Sequence, residues 1–265
     1  MDLERITVNI RGRTTWEAMD LGIAFLRNYW KPIYAIWVVF TLPFVFILCL
    51  CFQGHSWLAI LMLWWLKPLF DRLPLYLLSR ILFGEIPSYK KAIKELPEFI
   101  FKNLLLDLTI FRFSPWRSFL LPAKHLEGLK AKPRKKRIRV LASSGRGSAT
   151  LLTILCFIFE IGIFLGWYMF LNFIFMRDLI NPLDIFIQTN FWISCFYAFL
   201  YYLSLSLIEP FYVAGGFALY INRRIFLEGW DIELIFRRIA KRLNPVKNKK
   251  KNNSVLKKLS ILAFS

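Results

Sequence analysis

The sequence predicts an all-α integral membrane protein: a four-span helical bundle in two related halves, with interfacial helices on the cytoplasmic side. Three observations carry this. Of 265 residues, 57% are hydrophobic and 18% aromatic, and they come in long blocks rather than at the spacing of a soluble fold. The formal charge of +19 crowds between those blocks. In a soluble chain such an excess indicates nucleic acid, but here it follows the positive-inside rule, so nucleic acid is not an expected partner. Third, Glu209-Pro210-Phe211-Tyr212 with Tyr220 and Arg224 repeats, in diluted form, Lys67-Pro68-Leu69-Phe70 with Tyr76 and Arg80.

The N-terminal half covers residues 1–98. Thr14-Thr15-Trp16-Glu17 offers helix-start chemistry, and Met19, Ile23, Leu26 and Trp30 then recur at helical spacing. This predicts an amphipathic helix on the cytoplasmic surface, anchored by Trp16 and Trp30 at headgroup level. Residues 33–52 supply about the twenty apolar residues that a bilayer core of roughly 30 Å requires, with Pro43 inside. Charged residues precede that block, so no cleavable signal peptide is expected. Gln53-Gly54-His55-Ser56 is a short outer turn, and a second span, 57–83, is interrupted by Lys67-Pro68, Asp71-Arg72 and Pro74.

Residues 99–147 read as a basic cytoplasmic region. Its 99–113 stretch is cut by Lys102, Asp107 and Arg112, which favours a surface-lying helix over an extra span at 99–111. A mobile basic loop through Lys130, Lys132 and residues 134–139 is predicted next. Residues 143–148 lack the Gly-Lys-Ser/Thr ending of a phosphate loop and read as a flexible lead, with Ser148 capping the next helix.

The C-terminal half covers 148–244. Its spans, about 149–176 and 191–222, contain Glu160 and Glu209-Pro210, and the outer connection 177–190 carries Asn181-Pro182. Gly229 is read as the turn into an amphipathic helix at 231–243, striped by Ile232, Ile235, Phe236, Ile239 and Leu243. The tail, 245–265, is basic and predicted mostly disordered, drawn to anionic lipid. With both termini and the central region cytoplasmic, all basic residues except Lys67, Arg72 and Arg177 lie inside.

Chemistry is sparse. Cys49, Cys51, Cys156 and Cys195 fall inside apolar blocks, so neither a disulfide framework nor a metal site is expected. No cofactor is expected, and no nucleophile with a base is evident, so the protein reads as non-enzymatic. The candidates are the buried charges Lys67, Asp71, Arg72, Glu160 and Glu209, because ionisable groups at membrane depth mark sites or register-fixing pairs. Lys67 and Glu160 fall at similar depth and are expected to pair, with Glu209 meeting Arg72 or Arg80. Arg80, Arg223 and Arg224 stand where spans reach the cytoplasm, suited to phosphate headgroups. Gly215-Gly216 marks a close helix approach or a bend.

The succession Pro210, Leu219-Tyr220, Arg224, Glu228-Gly229 and Asp231-Ile232-Glu233 resembles the last span of a broad group of bacterial multi-span proteins. Among them is the membrane domain attached to some glycerophosphoryl diester phosphodiesterases. With Trp16 to Asp20 and Lys67 to Pro74, the chain is also similar to proteobacterial inner-membrane proteins encoded near MoxR-type AAA+ ATPases. The resemblance implies a bacterial inner-membrane location and an accessory or scaffold role with a cytoplasmic AAA+ ATPase or sibling membrane proteins as partners. It carries over no catalytic residue. The alternative expectation is a small transporter or lipid-handling protein using Lys67, Glu160 and Glu209.

Overall fold

The computed structural model describes residues 11–85, 87, 89–101, 107–109, 112–129, 131–174 and 190–230. Among these, eight helices follow in chain order: α1 (Thr15–Asn28), α2 (Trp30–Cys51), α3 (Ser56–Phe70), α4 (Arg72–Leu82), α5 (Tyr89–Phe101), α6 (Arg117–His125), α7 (Ala131–Ile174) and α8 (Phe191–Glu228). Among the described residues three stretches are long and apolar enough to cross a membrane: α2, the 145–171 part of α7, and α8. The predictions made for 177–189, for the helix at 231–243 and for the tail lie outside the described residues.

The bundle is assembled around α8. At 38 residues it is about 57 Å long, and α1, α2, α3, α4, α6 and α7 all pack on it. Asn190 starts it by accepting from the Trp192 amide. Gly229 ends it with φ of 60°, a left-handed cap that glycine adopts without a Cβ clash, so the helix stops where the sequence placed the turn. Gly216 allows α6 to cross: a Cβ there would lie 2.4 Å from the Ser118 Cβ. Gly22 does the same for α1, where a Cβ would lie 2.5 Å from the Ala214 carbonyl oxygen. The buried face of α1 is therefore Ala18, Met19, Gly22 and Leu26, while Ile23, Trp16 and Trp30 are exposed.

One expectation takes definite form and one is corrected. The second apolar block, expected to be interrupted, is two helices. It breaks at Asp71 between α3 and α4, and α4 is buried along nearly its whole length, Arg72 included. Pro68 and Pro74 remove two helix donors, and the carbonyl that Pro68 leaves free, on Trp64, accepts from Arg112 Nη2 at 2.6 Å. The predicted basic loop is also helical. α7 runs unbroken from Ala131 through both glycines and Ser148, so Ser148 caps nothing and the 147/148 division falls inside a helix. Gly145 and Gly147 each cost about 1 kcal/mol against alanine, but Gly145 serves packing, since a Cβ there would lie 2.9 Å from the Phe119 ring of α6. Arg137 then ties the start of α7 to Glu127 and to Glu228 at the end of α8.

Candidate buried charge site

Five charged side chains from five places in the fold meet beside the middle of α8. Lys67 comes from the last turn of α3, Asp71 from the α3–α4 break, Arg117 from the first turn of α6, Glu160 from α7 and Glu209 from α8. Lys67 Nζ is paired with Glu160 and lies 3.0 Å from Glu209 Oε2. Arg117 bridges the remaining acids, with Nη2 3.0 Å from Glu209 Oε1 and Nε 2.7 Å from Asp71 Oδ2. The Tyr201 hydroxyl donates to Glu160 Oε1 at 2.8 Å. All five are buried or nearly so, and Glu160 sits near the centre of the 145–171 apolar stretch.

The expected partners are thus partly rearranged. Lys67 and Glu160 are together. Glu209, however, meets Lys67 and Arg117, not Arg72 or Arg80. Arg72 turns away, into a second cluster: its Nη2 lies 2.6 Å from Asp107 Oδ2 and it donates to the Ile100 carbonyl. Asp107 also receives His125 Nε2 at 2.8 Å and Lys124 Nζ at 3.6 Å. Burial pushes Lys124 down to about 8, against the pull of Asp107. Burial lowers His125 too, again opposed by Asp107. Burial acts to raise Asp107, but His125, Lys124 and Arg72 together hold it well below the usual carboxylate range.

Arg117 is the member that sequence reasoning missed. The available signal was charge arithmetic: once Arg72 is otherwise engaged, three buried acids face one lysine. Arg80 is met by Glu85 and Glu95, and Arg224 by Glu228, so both enter the structure with carboxylates on them. Arg223 donates to the Ser143 hydroxyl at 3.1 Å. The two repeats share geometry here. The Tyr76 hydroxyl donates to Glu95 at 2.6 Å beneath Arg80, and the Tyr220 hydroxyl to Glu127 at 2.8 Å beneath Arg224. Lys67 and Glu209, matched in the repeat, are the pair 3.0 Å apart.

Beside the network lies a half-open cavity of about 240 Å³, lined among others by Lys67, Arg112, Arg117, Thr153, Cys156, Glu160 and Glu209. It forms because α3 and α7 both pack on α8 and share no substantial contact with one another. Its size is below the roughly 300–1,000 Å³ of typical drug-sized sites, and its wall mixes these polar groups with aromatic rings, Trp64, Phe113, Phe157 and Tyr212. Among the described residues no three His, Cys, Asp or Glu side chains are grouped as a metal ion would need. No protein-family model, curated protein or solved structure matches this chain.

Proposed function

We propose that this is a non-enzymatic multi-pass membrane protein that handles a small polar solute or lipid at the buried charge network, with both termini on the cytoplasmic side of a bacterial inner membrane. The observation that carries this reading is the juxtaposition of the Lys67–Glu160–Glu209–Arg117–Asp71 network with a half-open cavity in the apolar middle of the bundle. A buried ion pair rarely adds stability over apolar packing, and charges at this depth are characteristic of wetted pathways and ligand sites. The basic residues between the apolar blocks support the orientation.

A second reading, an accessory subunit for a cytoplasmic AAA+ ATPase system, is favoured by one feature. Lys132, Lys135, Lys136 and Arg139 are exposed at the start of α7, on one helix face at i, i+3, i+4 and i+7, a stripe suited to an acidic protein surface.

Purification in mild detergent with mass spectrometry of everything that co-purifies separates the two. The first reading expects one enriched small molecule or lipid, lost in the charge-balanced Lys67→Met/Glu160→Gln variant. A stoichiometric ATPase, with no enriched ligand and no effect of that variant, contradicts it and favours the accessory role.

A further inference from the structure

A second cavity, of about 320 Å³, shares no lining residue with the first. Its wall joins the start of α1, at Arg13 and Thr15, to the last turns of α8, at Asn222, Arg223 and Phe226. Two local features build it. Asn222, 7% exposed, clamps the chain just before α1: its Oδ1 accepts from the Arg13 amide at 3.0 Å and its Nδ2 donates to the Arg13 carbonyl at 2.9 Å. Gly12 then leaves room for the Phe226 ring, which a Cβ would meet at 2.9 Å.

The charges on this wall do not balance. Arg13 Nε lies 3.5 Å from Glu17, so that cation has an acid. Arg223 has none. Among the described residues the Ser143 hydroxyl is its one acceptor, at 3.1 Å, and its Nε is buried without a hydrogen-bond partner. The wall itself carries no Asp or Glu. An anion entering here therefore meets a guanidinium that no carboxylate occupies, and no acid on the wall opposes it.

The level of the cavity follows from two helices independently. The rise along α8 from Glu209 to Asn222, and along α7 from Glu160 back to Gly145 on the same wall, is about 20 Å in each case. Half a hydrocarbon core is about 15 Å, so a bundle with Glu160 and Glu209 at mid-depth has this cavity in the headgroup layer. Phe226 and Trp16 are 60% and 59% exposed there, as aromatic rings at that boundary commonly are.

We propose that this cavity seats the phosphate of an anionic phospholipid of the cytoplasmic leaflet, on Arg223 and Arg13 with the Thr15 hydroxyl as a further donor, the acyl chains leaving past Phe226. The inference uses the membrane placement proposed above and is independent of the ligand-site reading of the buried network. Phosphatidylglycerol brings the anion alone. Phosphatidylethanolamine brings also an ammonium, which this wall has no carboxylate to receive. Glycerol 3-phosphate offers the same phosphate chemistry from solution, without the chains.

The test is native mass spectrometry of the full-length protein, released from nanodiscs of equal parts phosphatidylglycerol and phosphatidylethanolamine. The wild type is expected to retain phosphatidylglycerol about tenfold over phosphatidylethanolamine, the scale of a charge-assisted hydrogen bond. Arg223→Gln is expected to erase that preference. Thr15→Glu is expected to erase it too without lowering the melting temperature, because an acid in the first turn of α1 suits the helix but puts a carboxylate on the wall. Lys132→Gln/Lys135→Gln removes two exposed charges from the start of α7 and is expected to leave the preference intact.

No preference in the wild type, one that survives both cavity variants, or one that falls equally in the α7 variant overturns the site. Displacement of the retained lipid by millimolar glycerol 3-phosphate overturns the bilayer source and assigns the cavity to a soluble phosphate compound. Protein that fails to enter nanodiscs overturns the membrane placement itself.

Discussion

At the scale of single residues the account rests on charges that apolar surroundings penalise unless they are paired. Removing Lys67 alone leaves Glu160 and Glu209 facing each other with only Arg117 nearby. Lys67→Met is expected to cost about 3–5 kcal/mol in detergent-solubilised unfolding, whereas Lys67→Met/Glu160→Gln recovers most of that loss; a double variant no better than the single one sinks the pairing. The Asp107 cluster makes a separate prediction. His125 and Asp107 have folded-state values below their ordinary ones, so the folded form binds fewer protons than the unfolded. Their contribution is present at neutral pH and is lost as pH falls, first through the His125 range below 6.5 and then through that of Asp107. Lys124, lowered to about 8, adds a further gain only on the alkaline side. Amide exchange in α6, corrected for intrinsic rates, is expected to quicken on acidification from pH 7 to 5, and His125→Asn to flatten that dependence. The Lys67–Glu160 pair was legible in the sequence because depth is simple arithmetic along a helix. Arg117 was not, because its position depends on how α6 folds back against α8, which no local pattern records.

At the scale of elements, small residues decide which helices can touch. Gly22 and Gly216 sit where a Cβ would meet backbone or Ser118 at 2.4–2.6 Å, so Gly216→Ala is expected to cost about 1–3 kcal/mol through overpacking. Gly162 and Gly166 of α7 have open space around the missing Cβ, and alanine there is expected to be neutral or to stabilise by up to about 1 kcal/mol. Thermal unfolding of the three variants checks this; equal effects contradict the crossings described. The glycine pair was visible in the sequence as a close approach, but its partner α6 was not. The basic run at 130–147 looked like a loop because charge and glycine argue for solvent and flexibility, yet Lys, Arg, Leu and Ala are good helix formers and Arg137 finds carboxylates on two sides. Proline content flagged the interruption of the second block, but its outcome, a buried α4 and an arginine on a freed carbonyl, depends on tertiary partners.

At the scale of the whole molecule, α8 is the shared wall on which the other long helices lean, and the gap left between α3 and α7 turns a knot of ion pairs into a lined site. The composition made helices long and apolar enough to cross a membrane legible, and three are present among the described residues; the repeat aligned Lys67 with Glu209. What it withheld was that Lys67 and Glu209, equivalent in that repeat, bond to each other across the centre. The central claim is that these charges line an accessible, water-bearing cavity and are not sealed in protein. Cys156 on its wall is a native reporter. In protein reconstituted into bilayers, with Cys49 and Cys195 replaced, a small hydrophilic methanethiosulfonate reagent is expected to label Cys156 to completion, more slowly than the exposed Cys51 because its thiol is only partly exposed. Labelling of Cys51 with Cys156 left unmodified would contradict the account.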